Sequence, residues 1–199
     1  PQGAKESGDA GITSNVLRRS LKAKSLAMLR RQRLSEALIE LPKPGEVLHA
    51  ISNARYESFT WIPVLIAMLG GKTNSFHAST WVMSIQNIHE LYRIGRQGKL
   101  GDEVGIVFGR HFKRSKPAQY GTFCEAARRL GWRHHAFFNH SKIVTLDNGR
   151  DFLTLTGSAN WTGNPRVEQY TLTNDKAIWE FHRKWIKEIL SRGDAKKSD

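Results

Sequence analysis

The chain has 199 residues, with 31 Lys plus Arg against 18 Asp plus Glu and a formal net charge of +13. That length supports one domain with a substantial core, and no apolar run reaches the roughly 20 residues that a membrane-spanning helix needs, the longest candidate being Phe59 to Leu69. The excess of positive charge points to a polyanionic partner, and a single cysteine, Cys124, excludes an intrachain disulfide and fits a cytoplasmic protein.

Residues 1–14 are rich in small and polar groups and are expected to be disordered; with Glu6 and Asp9 among them they do not read as a signal peptide. Residues 15–40 read as a basic helix. Arg18, Arg19, Lys22, Lys24, Arg30, Arg31 and Arg33 fall within 16–34 with no acidic residue, interleaved with Val16, Leu17, Leu21, Leu26, Met28 and Leu29. That pattern suits a phosphate backbone or an anionic membrane surface. Leu41-Pro42-Lys43-Pro44-Gly45 is a breaker. It places a boundary between a basic extension, 1–44, and a domain, 45–192, with 193–199 as a disordered tail.

Within the domain the pattern predicts a strand at 46–52, a helix at 58–69 ended by Gly70-Gly71, and a strand at 74–82. A helix follows at 84–97, with Ile85, Ile88, Leu91, Tyr92 and Gly95 on one stripe. Next come a strand at 103–108, a helix at 117–130 stopped by Gly131, and strands at 135–146, 151–157 and 167–173. Asn174-Asp175 caps a last helix, 175–191, whose Ile178, Phe181, Trp185 and Ile189 share a core or interface stripe. Strands alternating with helices imply an α/β fold, a layered mixed β-sheet flanked by helices. A second basic cluster, Arg110, Lys113, Arg114 and Lys116, follows the 103–108 strand, with Arg128, Arg129 and Arg133 nearby. His77-Ala78-Ser79-Thr80-Trp81, at the end of the 74–82 strand, is a candidate rim for a pocket. Cys124 falls in a helix and reads as a packing residue.

The chemistry concentrates near the C-terminus. A strand through His140-Ser141-Lys142 running into the turn Asp147-Asn148-Gly149 is expected to return as a hairpin ending in Gly157-Ser158-Ala159-Asn160. Strand alternation sets His140 and Lys142 on one face, and the hairpin brings Ser158 and Asn160 beside them. A neutral imidazole is a nucleophile near pH 7, and its protonated form is an acid. Lys142 supplies positive charge for phosphate oxygens, Ser158 and Asn160 supply donors, and Gly157 permits close backbone approach. Asp147 precedes Asn148-Gly149 and suits a turn as well as it suits a site. His134-His135 point to opposite faces of a strand with no acidic or thiol group to complete a metal site.

His140-x-Lys142-x4-Asp147 followed by Gly157-Ser158-x-Asn160 resembles the HKD signature of the phospholipase D superfamily. Nine residues separate Asp147 from Gly157, more than the commonest pattern, which a longer hairpin loop absorbs. The resemblance implies a phospholipase D-like fold and phosphodiester chemistry without a cofactor. Glu168 stands where that family carries a downstream acidic residue, with orienting His140 and simply facing solvent as its two readings. The superfamily uses two such motifs per active site, one His attacking phosphorus to form a phosphohistidine and the other protonating the leaving oxygen. This chain carries the full signature once. It is therefore similar to the single-motif branch, whose members form homodimers and mostly cut nucleic acid.

The expected activity is a metal-independent nuclease acting on DNA ahead of RNA. His140, Lys142, Ser158, Asn160, Glu168 and Asp147 are the catalytic candidates. Arg18, Arg19, Arg30, Arg31, Arg110, Lys113, Arg114 and Lys116 are the substrate-binding ones. The rival readings are a phospholipase or phosphatidyltransferase, and a non-catalytic DNA-binding subunit that kept the fold.

Overall fold

In the computed structural model, residues 26–53, 56–163 and 165–195 are described. The expected disordered stretch 1–14, residues 196–199 of the expected tail 193–199, and Arg18 and Arg19 lie outside them, whereas 193–195 are helical and continue the last helix instead of beginning a tail. A seven-stranded mixed sheet forms the centre, in the spatial order β1-β7-β6-β5-β2-β3-β4. The strands are β1 (Val47–Asn53), β2 (Ser75–Thr80), β3 (Glu103–Gly109), β4 (Arg133–Phe137), β5 (Ile143–Asp147), β6 (Phe152–Gly157) and β7 (Val167–Asn174). β2, β3 and β4 run parallel, and the others pair antiparallel. Around the sheet lie α1 (26–37), α2 (Trp61–Met68), α3 (Ile85–Arg96), α4 (Arg110–Ser115), α5 (Pro117–Leu130) and α6 (Lys176–Ala195).

Alternation along the strands gives the sheet two unlike faces. Phe76 and Ala78 of β2, Ile106 and Phe108 of β3, Val144 and Leu146 of β5, and Leu153 and Leu155 of β6 join the main core with Trp61, Ile62, Leu65, Ile88 and Phe123. Leu34 and Leu38 join the same core, so the helix 26–37 and its C-terminal flank are packed onto the domain. The other face carries Ser75, His77, Ser79, Thr145, Asp147 and Thr154, all buried. Glu103, on the same side, pairs with Arg183 and Lys187 of α6.

That ion cluster explains the one helix whose inner face departs from expectation. The stripe Ile178/Phe181/Trp185/Ile189 has a neighbouring stripe, Trp179/Ile186/Leu190, at the same spacing. Turning Arg183 and Lys187 to Glu103 selects the second stripe. Trp179, Ile186 and Leu190 are buried, Trp185 and Ile189 half-buried, and Ile178 and Phe181 exposed.

Candidate active site

The expected strand 135–146 is two strands. Residues 133–137 pair with β3 at the sheet edge, and 143–147 pair with β2 and β6 near its middle. Residues 138–142 cross between them. Three inter-strand spacings, about 14 Å, separate β4 from β5, and the six Cα steps from 137 to 143 reach at most about 20 Å. The link therefore has length to spare for the bend at Phe138 and the Asn139–Ser141 turn, and it joins no strand ladder. It passes across the carboxyl ends of β3 and β2, where ligands of open α/β sheets characteristically bind. His140 and Lys142 ride on this link rather than on a strand.

Side-chain hydrogen bonds hold the link in place of a ladder. Asn139 donates from Nδ2 to the Thr80 carbonyl at 3.4 Å and accepts from the Ser141 N–H and hydroxyl at 3.1 and 2.6 Å. Ser141 Oγ lies 2.6 Å from Ser79 Oγ at the end of β2. Gly109, at the end of β3, makes room for the crossing: a Cβ there would stand 2.1 Å from Trp81 Cδ1 and 2.9 Å from the Asn139 carbonyl. Ser141 faces inward, and its neighbours His140 and Lys142 turn out.

Lys142 Nζ lies 3.1 Å from His140 Nδ1 and also donates to the His140 carbonyl. Partial burial lowers the Lys142 pKa from its ordinary value, and the negative charge of Glu168 works against that lowering. The hairpin returns as expected. Asp147 pairs with Phe152, the loop 148–151 takes up the long spacing, and the Gly157 N–H reaches the Lys142 carbonyl at 3.2 Å. Gly157 permits that fit because a Cβ would meet the Tyr170 ring at 2.8 Å. Ser158 donates to the Glu168 carboxylate and accepts from the Gln169 N–H at 3.1 Å. Asn160 accepts from the Trp81 N–H through Oδ1 at 3.3 Å, which leaves its amide nitrogen as the end that can donate to a ligand. Trp81 in turn lies against His140, ring centroids 5.2 Å apart. His140, Lys142, Ser158, Asn160 and Glu168 thus gather at one end of the sheet.

Asp147 does not join them. It sits at the opposite end of β5, buried, where its carboxylate accepts from Ser75 Oγ, from Asn74 Nδ2 at 3.3 Å and from the Gly149 N–H at 3.2 Å. It ties the β5–β6 turn to the start of β2. The basic candidates also divide. Arg30 pairs with Glu57 and Arg31 with Glu90, whereas Arg110, Lys113 and Arg114 line an open groove beside the link; Lys116 is exposed between α4 and α5.

Neither a protein-family model nor a curated protein sequence matches the chain. Solved structures do. It is similar to a phospholipase D family member, Nuc from Salmonella typhimurium, over 73% of this chain and 94% of that one, with a TM-score of 0.54 and 15% identity. NucT from Helicobacter pylori matches over 73% and 97%, with a TM-score of 0.53 and 15% identity. The fold is that of the phospholipase D superfamily. A third similar structure is TrmBL2, an archaeal chromatin protein described by a mode of DNA binding, with a TM-score of 0.53 and 12% identity over 92% of this chain and 66% of that one.

On this phospholipase D fold two features escaped the sequence reading. His-x-Lys alone recurs, at His111-Phe112-Lys113 on α4 and His182-Arg183-Lys184 on α6, in neither case followed by Gly-Ser-x-Asn. And α4 itself was missed, being six residues long and strongly polar. It stacks His111 on Trp81, centroids 4.5 Å apart and planes 19° from parallel, and sets the Arg110 guanidinium 4.4 Å over the Phe138 ring. Of these rings the sequence singled out Trp81 alone, at the end of the rim candidate 77–81. Among the described residues no group of three His, Cys, Asp or Glu side chains is placed to hold a metal ion, and no helix is long and apolar enough to cross a membrane.

Proposed function

We propose that the protein is a phosphodiesterase that cuts nucleic acid, DNA ahead of RNA, without a metal ion, at a site completed by a second copy of the chain. The observation that carries this reading is the convergence of His140, Lys142, Ser158 and Asn160 at the carboxyl ends of the parallel strands, on a phospholipase D fold. A phosphodiester needs a nucleophile, an acid for the leaving oxygen and compensation for charge on the phosphoryl oxygens. One chain supplies the nucleophile and the compensation. Twofold symmetry supplies the acid as His140 of the partner subunit.

The Lys142–His140 contact defines the starting state. An ammonium can only donate, so Nδ1 accepts and the neutral ring carries its proton on Nε2. Attack by one subunit's ring requires that proton to move to Nδ1, and protonation of the leaving oxygen requires the partner's ring to start as the imidazolium. An arriving phosphate draws the ammonium toward its oxygens, which lets Nδ1 hold the proton and frees Nε2 to attack. The Nε2–P bond forms as the P–O bond to the leaving nucleoside breaks, and the partner imidazolium protonates that oxygen. The same imidazole then takes a proton from water, whose oxygen attacks phosphorus and breaks the N–P bond. Lys142 and the amide of Asn160 neutralise the oxygens throughout. Glu168 fixes Ser158 and sustains the charge on Lys142.

The test is cleavage of plasmid and single-stranded DNA in excess EDTA by the wild type and by His140→Ala. Cleavage by the wild type alone supports the reading. Loss of wild-type cleavage on chelation contradicts the metal-free chemistry, and equal cleavage by the variant contradicts the site.

A further inference from the structure

Beside His140 the fold builds an aromatic platform that phosphodiester cleavage does not use. Phe138 is 79% exposed, although it is a large apolar side chain held on a link pinned by Asn139 and Ser141. An exposed aromatic ring on a fixed backbone calls for an explanation. One of its faces is taken by the Arg110 guanidinium, 4.4 Å from the ring centroid. Phe137 meets it edge to face, centroids 6.4 Å apart. Phe138 floors one end of a groove of about 960 Å³ whose walls include Arg110, Lys113 and Arg114 of α4 and Arg192 of α6. The groove runs along β4, the edge strand of the sheet. Positive walls and an aromatic floor are the two parts needed to track a single strand: cations follow the phosphates, and rings stack the bases.

The geometry points to single-stranded nucleic acid as the occupant of this groove, with a base stacked on the open face of Phe138. The inference rests on the reading of the site as a nuclease and names the form of its substrate. Phe138 lies two residues from His140, so their Cα atoms are at most about 7 Å apart. A base stacked there belongs to a nucleotide next to the phosphate under attack. In a duplex both faces of each base are already stacked, and exposing one costs a few kcal/mol. The platform therefore favours unpaired strands. Arg110 does double duty, stiffening the ring from behind and meeting the adjacent phosphate.

The test is equilibrium binding in the non-cleaving His140→Ala background, read by fluorescence anisotropy of a labelled single-stranded deoxyoligonucleotide of about 12 residues and of its duplex. Adding Phe138→Ala is expected to weaken single-strand binding about tenfold and duplex binding less than twofold, and Phe138→Trp is expected to keep single-strand binding. Unchanged single-strand affinity, or equal losses for single strand and duplex, overturns the proposal. A fall in the mass of the assembly with single-strand affinity intact also overturns it, by making Phe138 a contact between copies. Because binding is read without turnover, a protein that cleaves nothing loses the nuclease reading and still decides the platform.

Discussion

At one end of β5 Asp147 is buried, and both oxygens of its carboxylate accept hydrogen bonds from Ser75, Asn74 and the Gly149 N–H. At the other end Lys142 is half-buried and His140 exposed, with Lys142 Nζ touching the His140 Nδ1 and carbonyl. The same eight-residue signature, His140 to Asp147, therefore spans two kinds of chemistry. The Asp147 end is saturated and rigid: every group has a partner, and a ligand would have to break them. The His140 end holds back donors and an exposed imidazole, positioned by Asn139, Ser141 and Trp81 rather than consumed by them. Residues that share a motif need not share a job, and hydrogen-bond saturation separates the structural half from the chemical half.

Substitutions at the two ends should fail in opposite ways. The largest effect is expected from His140→Ala, which should lower cleavage by about 10⁴-fold or more while leaving the melting temperature unchanged, since the side chain is exposed. Lys142→Met should lower the rate by about 10² to 10³, the cost of one preorganised charge on the phosphate. Asp147→Ala is the counterpart. It strands Ser75, Asn74 and the Gly149 N–H around a buried gap, and should cost about 3 kcal/mol of stability in denaturant titration. The folded fraction should keep its rate within about threefold. A strong rate loss with stability intact would place Asp147 in the chemistry and break the contrast.

The smallest effect tests the polar face beneath α6. His77 is buried in it, and burial pushes its pKa down to about 4, with the Glu103 carboxylate pulling the other way. The folded state thus binds fewer protons than the unfolded state between about pH 6.5 and pH 4, so stability falls as pH drops through that window. About 2 kcal/mol should be lost between pH 7 and pH 5. In His77→Gln the melting temperature should flatten across that range, and an unaltered slope would assign the acid sensitivity elsewhere.

Much of this arrangement was legible in the sequence. The alternation of strands and helices, the Ser84 and Gly131 ends of α3 and α5, and the His140/Lys142 and Gly157-Ser158-x-Asn160 pairing all follow from local pattern. What was not legible depends on long-range placement. Residues 133–147 have uninterrupted strand character, and only the order β5-β2-β3-β4 shows that the chain must leave one edge and cross to the middle. The inner stripe of α6 was decided by Glu103, a residue of another element. The grouping of Trp81, His111 and Phe138 joins three segments with no common pattern, so no reading of one segment could find it. The role of Asp147 turned on whether Ser75 and Asn74 lay opposite it.

The central claim, that the exposed end of β5 carries a nucleophilic histidine, is tested most directly by trapping the intermediate. Wild-type protein turning over DNA in excess EDTA would be quenched in alkali, where a phosphoramidate survives, and digested for mass spectrometry. The expected result is a nucleotidyl or phosphoryl adduct on the peptide containing His140, absent from His140→Ala. Rapid cleavage with no adduct on that peptide, or an adduct that persists in His140→Ala, would contradict it.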